Sequence, residues 1–138
     1  EIYYKISLCY SKKKNFEKSF FWILKAGFYD NKLAKKKILS FYKKLDKIYN
    51  NKKFLRAFNI YNQAKVILTY FSNLVSKRSY SILKKIVIIS LYRAGICLEK
   101  LNKYSEAKKY YNFLLKLFPA SQFAKLSEKN IKRINNNL

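Results

Sequence analysis

The chain has 138 residues, with 31 Lys or Arg against 7 Asp or Glu, a formal charge of +24 and no histidine. Two glycines and one proline are too few for the turns of a sheet, so helix is the expected class. Without histidine the commonest general base and metal ligand are missing, and Glu1, Glu17, Asp30, Asp46, Glu99, Glu106 and Glu128 nowhere pair three or four residues apart, so no catalytic, metal or cofactor site is expected.

Taken in order, Glu1-Ile2-Tyr3-Tyr4 already reads as helix interior, and the chain lacks methionine altogether. Both features lead us to expect a processed or excised piece of a longer chain. A second helix follows, with Asn15 as its cap and Glu17 in its first turn. Next comes a pair of helices broken at Asn50-Asn51-Lys52, in which Phe41, Ile48, Ala57, Tyr61 and Ala64 keep helical spacing. Lys44-Leu45 stands where close helices want small residues, so this crossing should be loose. Ser72 to Val87 reads as a lengthened helix ending near Ser76, a loop at 77–79 and an early start to the next helix.

The strongest periodicity lies between Leu91 and Pro119. Leu91, Ala94, Gly95 and Leu98 share one face, and Ala107, Tyr111 and Leu114 share the facing one. Ala94, Gly95 and Ala107 allow the axes to approach to about 8–10 Å. Asn102 is the expected N-cap of the second helix, Glu106 suits its dipole, and Pro119 ends it at Phe118. Ser121 should cap a last helix over 122–134, with Ala124, Ile131 and Ile134 inward and Lys125, Glu128, Lys129 and Lys132 outward. Residues 135–138 should fray.

Moved back by 88 positions, this unit falls on the N-terminus. Tyr92 meets Tyr4, Cys97 meets Cys9, Ala107 meets Ser19 and Tyr111 meets Ile23, while Ile6-Ser7 replaces Ala94-Gly95. The shared position makes Cys9 and Cys97 the same inward slot, and buried structural thiols are expected. A copy shifted by 50 fits the middle pair. The domain expected is a single one, with repeats at about 1–33, 38–71 and 88–121 and a cap at 122–134.

Large-x-x-Ala-Gly-x-x-Leu followed by Ala, an aromatic residue, an aliphatic one and Pro closely resembles the tetratricopeptide repeat. The resemblance implies an all-α, right-handed α-solenoid of about three helical hairpins plus a capping helix, although the spacings of 38 and 50 depart from the family period of ~34. It implies a concave groove lined by the first helix of each hairpin. Carried over, one groove position falls on Tyr4, Tyr42 and Tyr92, the next on Leu8, Asp46 and Ile96, with Lys12, Lys43, Arg93 and Lys100 at the rim. The partner expected there is a helical or extended protein segment bearing apolar and acidic residues. The competing reading is that these tyrosines merely pack between repeats. Of the Lys/Asn clamp some family members use for a terminal carboxylate, only Arg93 matches.

Leu117-Phe118-Pro119-Ala120-Ser121 through Ala124 is similar to the repeat ending of bacterial envelope proteins of the BamD/YbgF kind. That resemblance implies a non-catalytic scaffold in a bacterial assembly, in the periplasm or envelope, with the cytoplasm as the other compartment. The alternative is a basic module for nucleic acid or an anionic membrane surface. Against it, only four of the basic residues are arginine, and the lysine clusters recur in every hairpin instead of gathering on one face.

Overall fold

The computed structural model describes residues 1–29, 31–76 and 82–137, except for the side chains of 72–76. Among them lie eight helices and no strand: α1 (Ile2–Lys12), α2 (Phe16–Phe28), α3 (Lys32–Asn50), α4 (Phe54–Tyr61), α5 (Gln63–Ser76), α6 (Ile82–Lys100), α7 (Tyr104–Leu117) and α8 (Gln122–Asn137). Asn62 between α4 and α5 keeps helical dihedrals, so these two form one broken rod and the set matches the seven helices expected. A second kink lies at Phe71 (φ −133°, ψ 36°). The loop expected at 77–79 lies outside the described residues. The architecture is an all-α helical repeat.

The three tight turns share one construction. Lys14, Lys52 and Asn102 each take a left-handed backbone, with φ of 57°, 62° and 61°. In each turn the next amide donates back five residues: Asn15 to Tyr10, Lys53 to Ile48 and Lys103 to Leu98. This is the bond that closes a helix with an αL residue, a position where glycine is cheapest and lysine is strained. The turn residues are separated by 52 − 14 = 38 and 102 − 52 = 50 positions. Asn102 is therefore not the N-cap the sequence suggested. It is the αL residue, tolerated because Asn visits that region readily, and α7 starts two residues later at Tyr104. Asn15 and Ser121 do act as caps, accepting from the amides of Lys18 (3.2 Å) and Ala124 (3.1 Å).

One hydrophobic cluster extends from Tyr4 on α1 to Ile134 on α8. In it α2 packs on α1, α3 and α5, α6 on α4 and α7, and α7 on α8. The α6–α7 crossing is very close: a Cβ built on Gly95 would lie 2.4 Å from Tyr111 Cε1. At α1–α2 the equivalent contact is polar. Ser7 Oγ donates to the Ser19 carbonyl (3.0 Å), Ser19 Oγ donates to the Ser7 carbonyl (3.1 Å), and Ser11 Oγ lies 2.7 Å from Ser19 Oγ. The α3–α4 crossing is less extensive than either, as Lys44-Leu45 foretold.

Two expectations need correction. Cys97 is fully buried but Cys9 is exposed, so the shared slot is not inward in both hairpins. Cys97 lies on α6 between α4 and α7, whereas α1 packs extensively on α2 alone. Helix α8 also runs on to Asn137, steadied by Lys108 Nζ donating to Asn135 Oδ1 (3.0 Å), instead of fraying from residue 135.

Candidate functional site

Tyr42, Asp46 and Tyr49 stand at i, i+4 and i+7 on α3 and so share one face. Arg93 of α6 reaches this face. Its Nη1 donates to Asp46 Oδ1 and to the Tyr61 hydroxyl (2.9 Å), and its guanidinium lies 4.8 Å from the Tyr49 ring centroid and 5.9 Å from those of Tyr42 and Tyr61. Burial raises the Tyr42 and Tyr61 phenols well above the ordinary tyrosine range, so both stay neutral. The phenols and Asp46 in turn keep Arg93 firmly protonated, outweighing its own desolvation. The cluster is a clip that joins the second hairpin to the third through one charge-assisted pair and three rings.

This geometry divides the eight residues expected to bind a partner. Tyr42, Asp46 and Arg93 come together, but to hold helices. Tyr4 and Tyr42 are only 8% and 9% exposed, so the groove-facing position assigned to them is corrected to a core position. The family register turned these rings one step too far outward, because on α1 and α3 they fall on the same side as Ser7 and as Ile38 and Leu45, which are buried. Tyr92 is half-buried, in tilted ring contacts with Phe123 (5.4 Å) and Tyr111 (5.9 Å), and its hydroxyl accepts from Asn130 Nδ2 (3.1 Å). Leu8 on α1 and Lys100 at the end of α6 are exposed, and Ile96 is partly so.

The exposed and half-buried residues have an order of their own. On α6, Lys85, Ile89, Arg93, Ile96 and Lys100 recur every three or four residues on the side away from Leu91, Ala94 and Leu98. On α3, Lys32, Lys36, Leu39, Lys43 and Lys47 form a second exposed stripe opposite Ala34, Ile38 and Leu45. Four lysines of this helix share that face, while Lys35, Lys37 and Lys44 are exposed on other sides, so the lysines surround the solvent-facing arc of α3 as the sequence reading held.

Glu99 has no reactive freedom. Its two oxygens accept from Arg133 Nη2 (2.7 and 2.9 Å), and Oε2 also accepts from the Tyr111 hydroxyl (3.0 Å). Among the described residues no three His, Cys, Asp or Glu come close enough to hold a metal ion. Nor is any described helix long and apolar enough to cross a membrane.

Two constellations escaped the sequence reading. Lys25 of α2 places its ammonium 4.4 Å from the Tyr3 ring, 4.6 Å from Phe71 and 4.9 Å from Trp22, pinning α1, α2 and α5 together. The only signal for it was the crowding of aromatics around the single tryptophan. Tyr61 of the clip was legible as the aromatic of the middle repeat, but Tyr49 and the convergence of both rings on Arg93 were not.

Residues 90–121 match the tetratricopeptide repeat family model. The matched stretch covers α7, most of α6 and the turn into α8, so it coincides with the close Gly95–Tyr111 crossing. The chain thus contains a tetratricopeptide repeat within an all-α helical-repeat fold, the class that serves chiefly for protein–protein interaction. No curated protein and no solved structure matches the chain significantly.

Proposed function

We propose that this chain is a non-catalytic protein–protein interaction scaffold in a bacterial cell-envelope assembly, holding a partner segment across the exposed sides of α1, α3 and α6. The observation that carries this reading is the outer side of α6, where the half-buried Ile89 and Ile96 lie between the exposed Lys85 and Lys100. Apolar positions framed by cations suit an amphipathic segment with acidic flanks. Leu8 extends the same kind of surface on α1. The Asp46–Arg93 clip sets the spacing of α3 and α6 beneath it. The tetratricopeptide match supports protein binding, and the envelope setting rests on the likeness of the Leu117-to-Ala124 ending to envelope repeats.

The test is affinity capture from lysate of the source cell, nuclease-treated and washed at about 0.3 M salt to screen loose charge contacts. Wild type is expected to retain a short, reproducible set of proteins that Ile96→Asp loses while keeping its helicity. Equal retention by the two would overturn the assignment of this face. The α3 lysine stripe favours a second reading, a basic surface for nucleic acid or anionic membrane. That reading predicts binding which falls steeply with salt and with Lys36→Glu and Lys43→Glu, and is indifferent to Ile96.

A further inference from the structure

A second surface adjoins the first-helix stripe at Lys85, where the start of α6 meets the α7–α8 corner. An open groove of about 570 Å³ runs there, with Ile88, Leu117, Phe118 and Phe123 lining it and Lys84 and Lys85 at its edge. Its volume is that of a site for a few side chains. Pro119 fixes the shape, because it ends α7 and turns the chain so that Leu117, 37% exposed, faces outward. Leu117 has no place in the core, and its neighbour Leu114 does that work at full burial.

We propose that this groove binds a short acidic protein segment carrying a bulky apolar anchor. The charge pattern selects the occupant. No carboxylate lines the groove, both of its charged residues are lysines, and the chain carries +24 overall. A second copy of the chain would bring the same charge and be repelled. Acidic side chains must therefore come from another protein, and the apolar walls require an anchor beside them. A phosphodiester strand would satisfy the lysines but not Ile88 and Leu117. The rings that bases would stack on each already have a neighbour, Phe123 a tilted contact with Tyr92 at 5.4 Å and Phe118 the Lys84 ammonium at 5.7 Å.

The experiment is fluorescence anisotropy with the full chain and three labelled probes at about 0.15 M salt. These are a short Asp/Glu peptide with a central Phe-Leu, the same peptide with Ser-Ser in its place, and an oligothymidylate of similar charge. The Phe-Leu peptide is expected to bind about tenfold more tightly than the Ser-Ser one. Leu117→Asp and Lys85→Glu should each weaken it about fivefold or more, while Lys109→Glu, an equal charge change on the exposed side of α7, leaves it nearly unchanged. Both Leu117 and Lys85 are solvent-facing, so the variants should keep wild-type helicity, and circular dichroism checks that each does. Equal binding of the two peptides, equal losses at Lys85 and Lys109, or a preference for the oligonucleotide would each overturn the proposal.

Discussion

At α6–α7 the two helices close over Gly95, and the ring of Tyr111 occupies the space a side chain would need. At α1–α2, 88 positions earlier, Ile23 stands for Tyr111 and Ser7 for Gly95, and the helices meet through reciprocal serine hydrogen bonds with Ser19. A smaller facing residue leaves room for Ser7 Cβ, but the hydroxyl it adds is buried and must be paired. Ser7 and Ser19 satisfy each other, so the pair is coupled in the same way as Gly95 and Tyr111. One backbone geometry thus has two solutions, one steric and one polar, and each works only as a matched set.

The largest effect expected on this contrast comes from pH. Burial raises Tyr42, Tyr61 and Tyr111, and lifts Tyr110 and Cys97 to about 12. All lie on α3 to α7. These groups keep their protons in the folded state at pH values where the unfolded chain has released them. Their contribution is fully present below the unfolded pKa of roughly 9–10 and is lost as pH rises through the folded values. Urea midpoints followed by circular dichroism should therefore fall by the equivalent of several kcal/mol between about pH 9 and pH 12. With about 1 M salt present to screen the lysine repulsion that is relieved over the same range, a flat profile would mean that these side chains are solvated.

Gly95→Ala should cost about 2–3 kcal/mol, because the Tyr111 ring cannot swing away while its hydroxyl is held by Glu99 at 3.0 Å. Adding Tyr111→Ile, the pairing used at α1–α2, should restore part of that loss in the same denaturation experiment. If it restores nothing, the two crossings are not equivalent solutions. Ser19→Ala should cost about 1–2 kcal/mol by removing the Ser19 Oγ bond to the Ser7 carbonyl and the hydroxyl partner of Ser7 and Ser11, while Ser7 Oγ keeps the residue-19 carbonyl. A change below the error of the midpoint would indicate that water replaces the bond.

The exposure difference at the matched cysteines gives a qualitative check. In native protein a thiol reagent should modify Cys9 promptly and Cys97 only on unfolding. Rapid reaction of both thiols would show that α6 is not sealed between α4 and α7. The smallest effect belongs to the turns: Lys14→Gly and Lys52→Gly should each stabilise by about 0.5–1 kcal/mol, and Asn102→Gly by less. A loss on either lysine substitution would mean that the αL strain is offset by contacts of the side chain.

Much of the fold was legible because it rests on local chemistry. Scarce glycine and proline fixed the helical class, and Ala94, Gly95, Ala107 and Pro119 fixed one repeat with its boundaries. Asn15 and Ser121 marked helix starts through short-range bonds that depend only on neighbours in the chain. Asn102 was misread because Asn suits both an N-cap and an αL turn, and the choice depends on where the preceding helix stops.

The candidate site was less legible, for a different reason. Helical spacing states which residues share a face but not which neighbour covers it. Tyr4, Tyr42 and Tyr92 hold one register position, yet Tyr4 and Tyr42 are core and Tyr92 is a half-buried anchor for α8. Cys9 and Cys97 part in the same way. Asp46 and Arg93 were read as surface charges and lie 47 positions apart, but at the α3–α6 junction they meet and leave the partner surface to Ile89, Ile96 and Lys100. Sequence alone therefore determined the helical class, most helix boundaries and one tetratricopeptide repeat, because spacing and caps are set largely within a few helical turns. Tertiary structure alone decided which faces are covered, because burial depends on packing partners that no local pattern specifies.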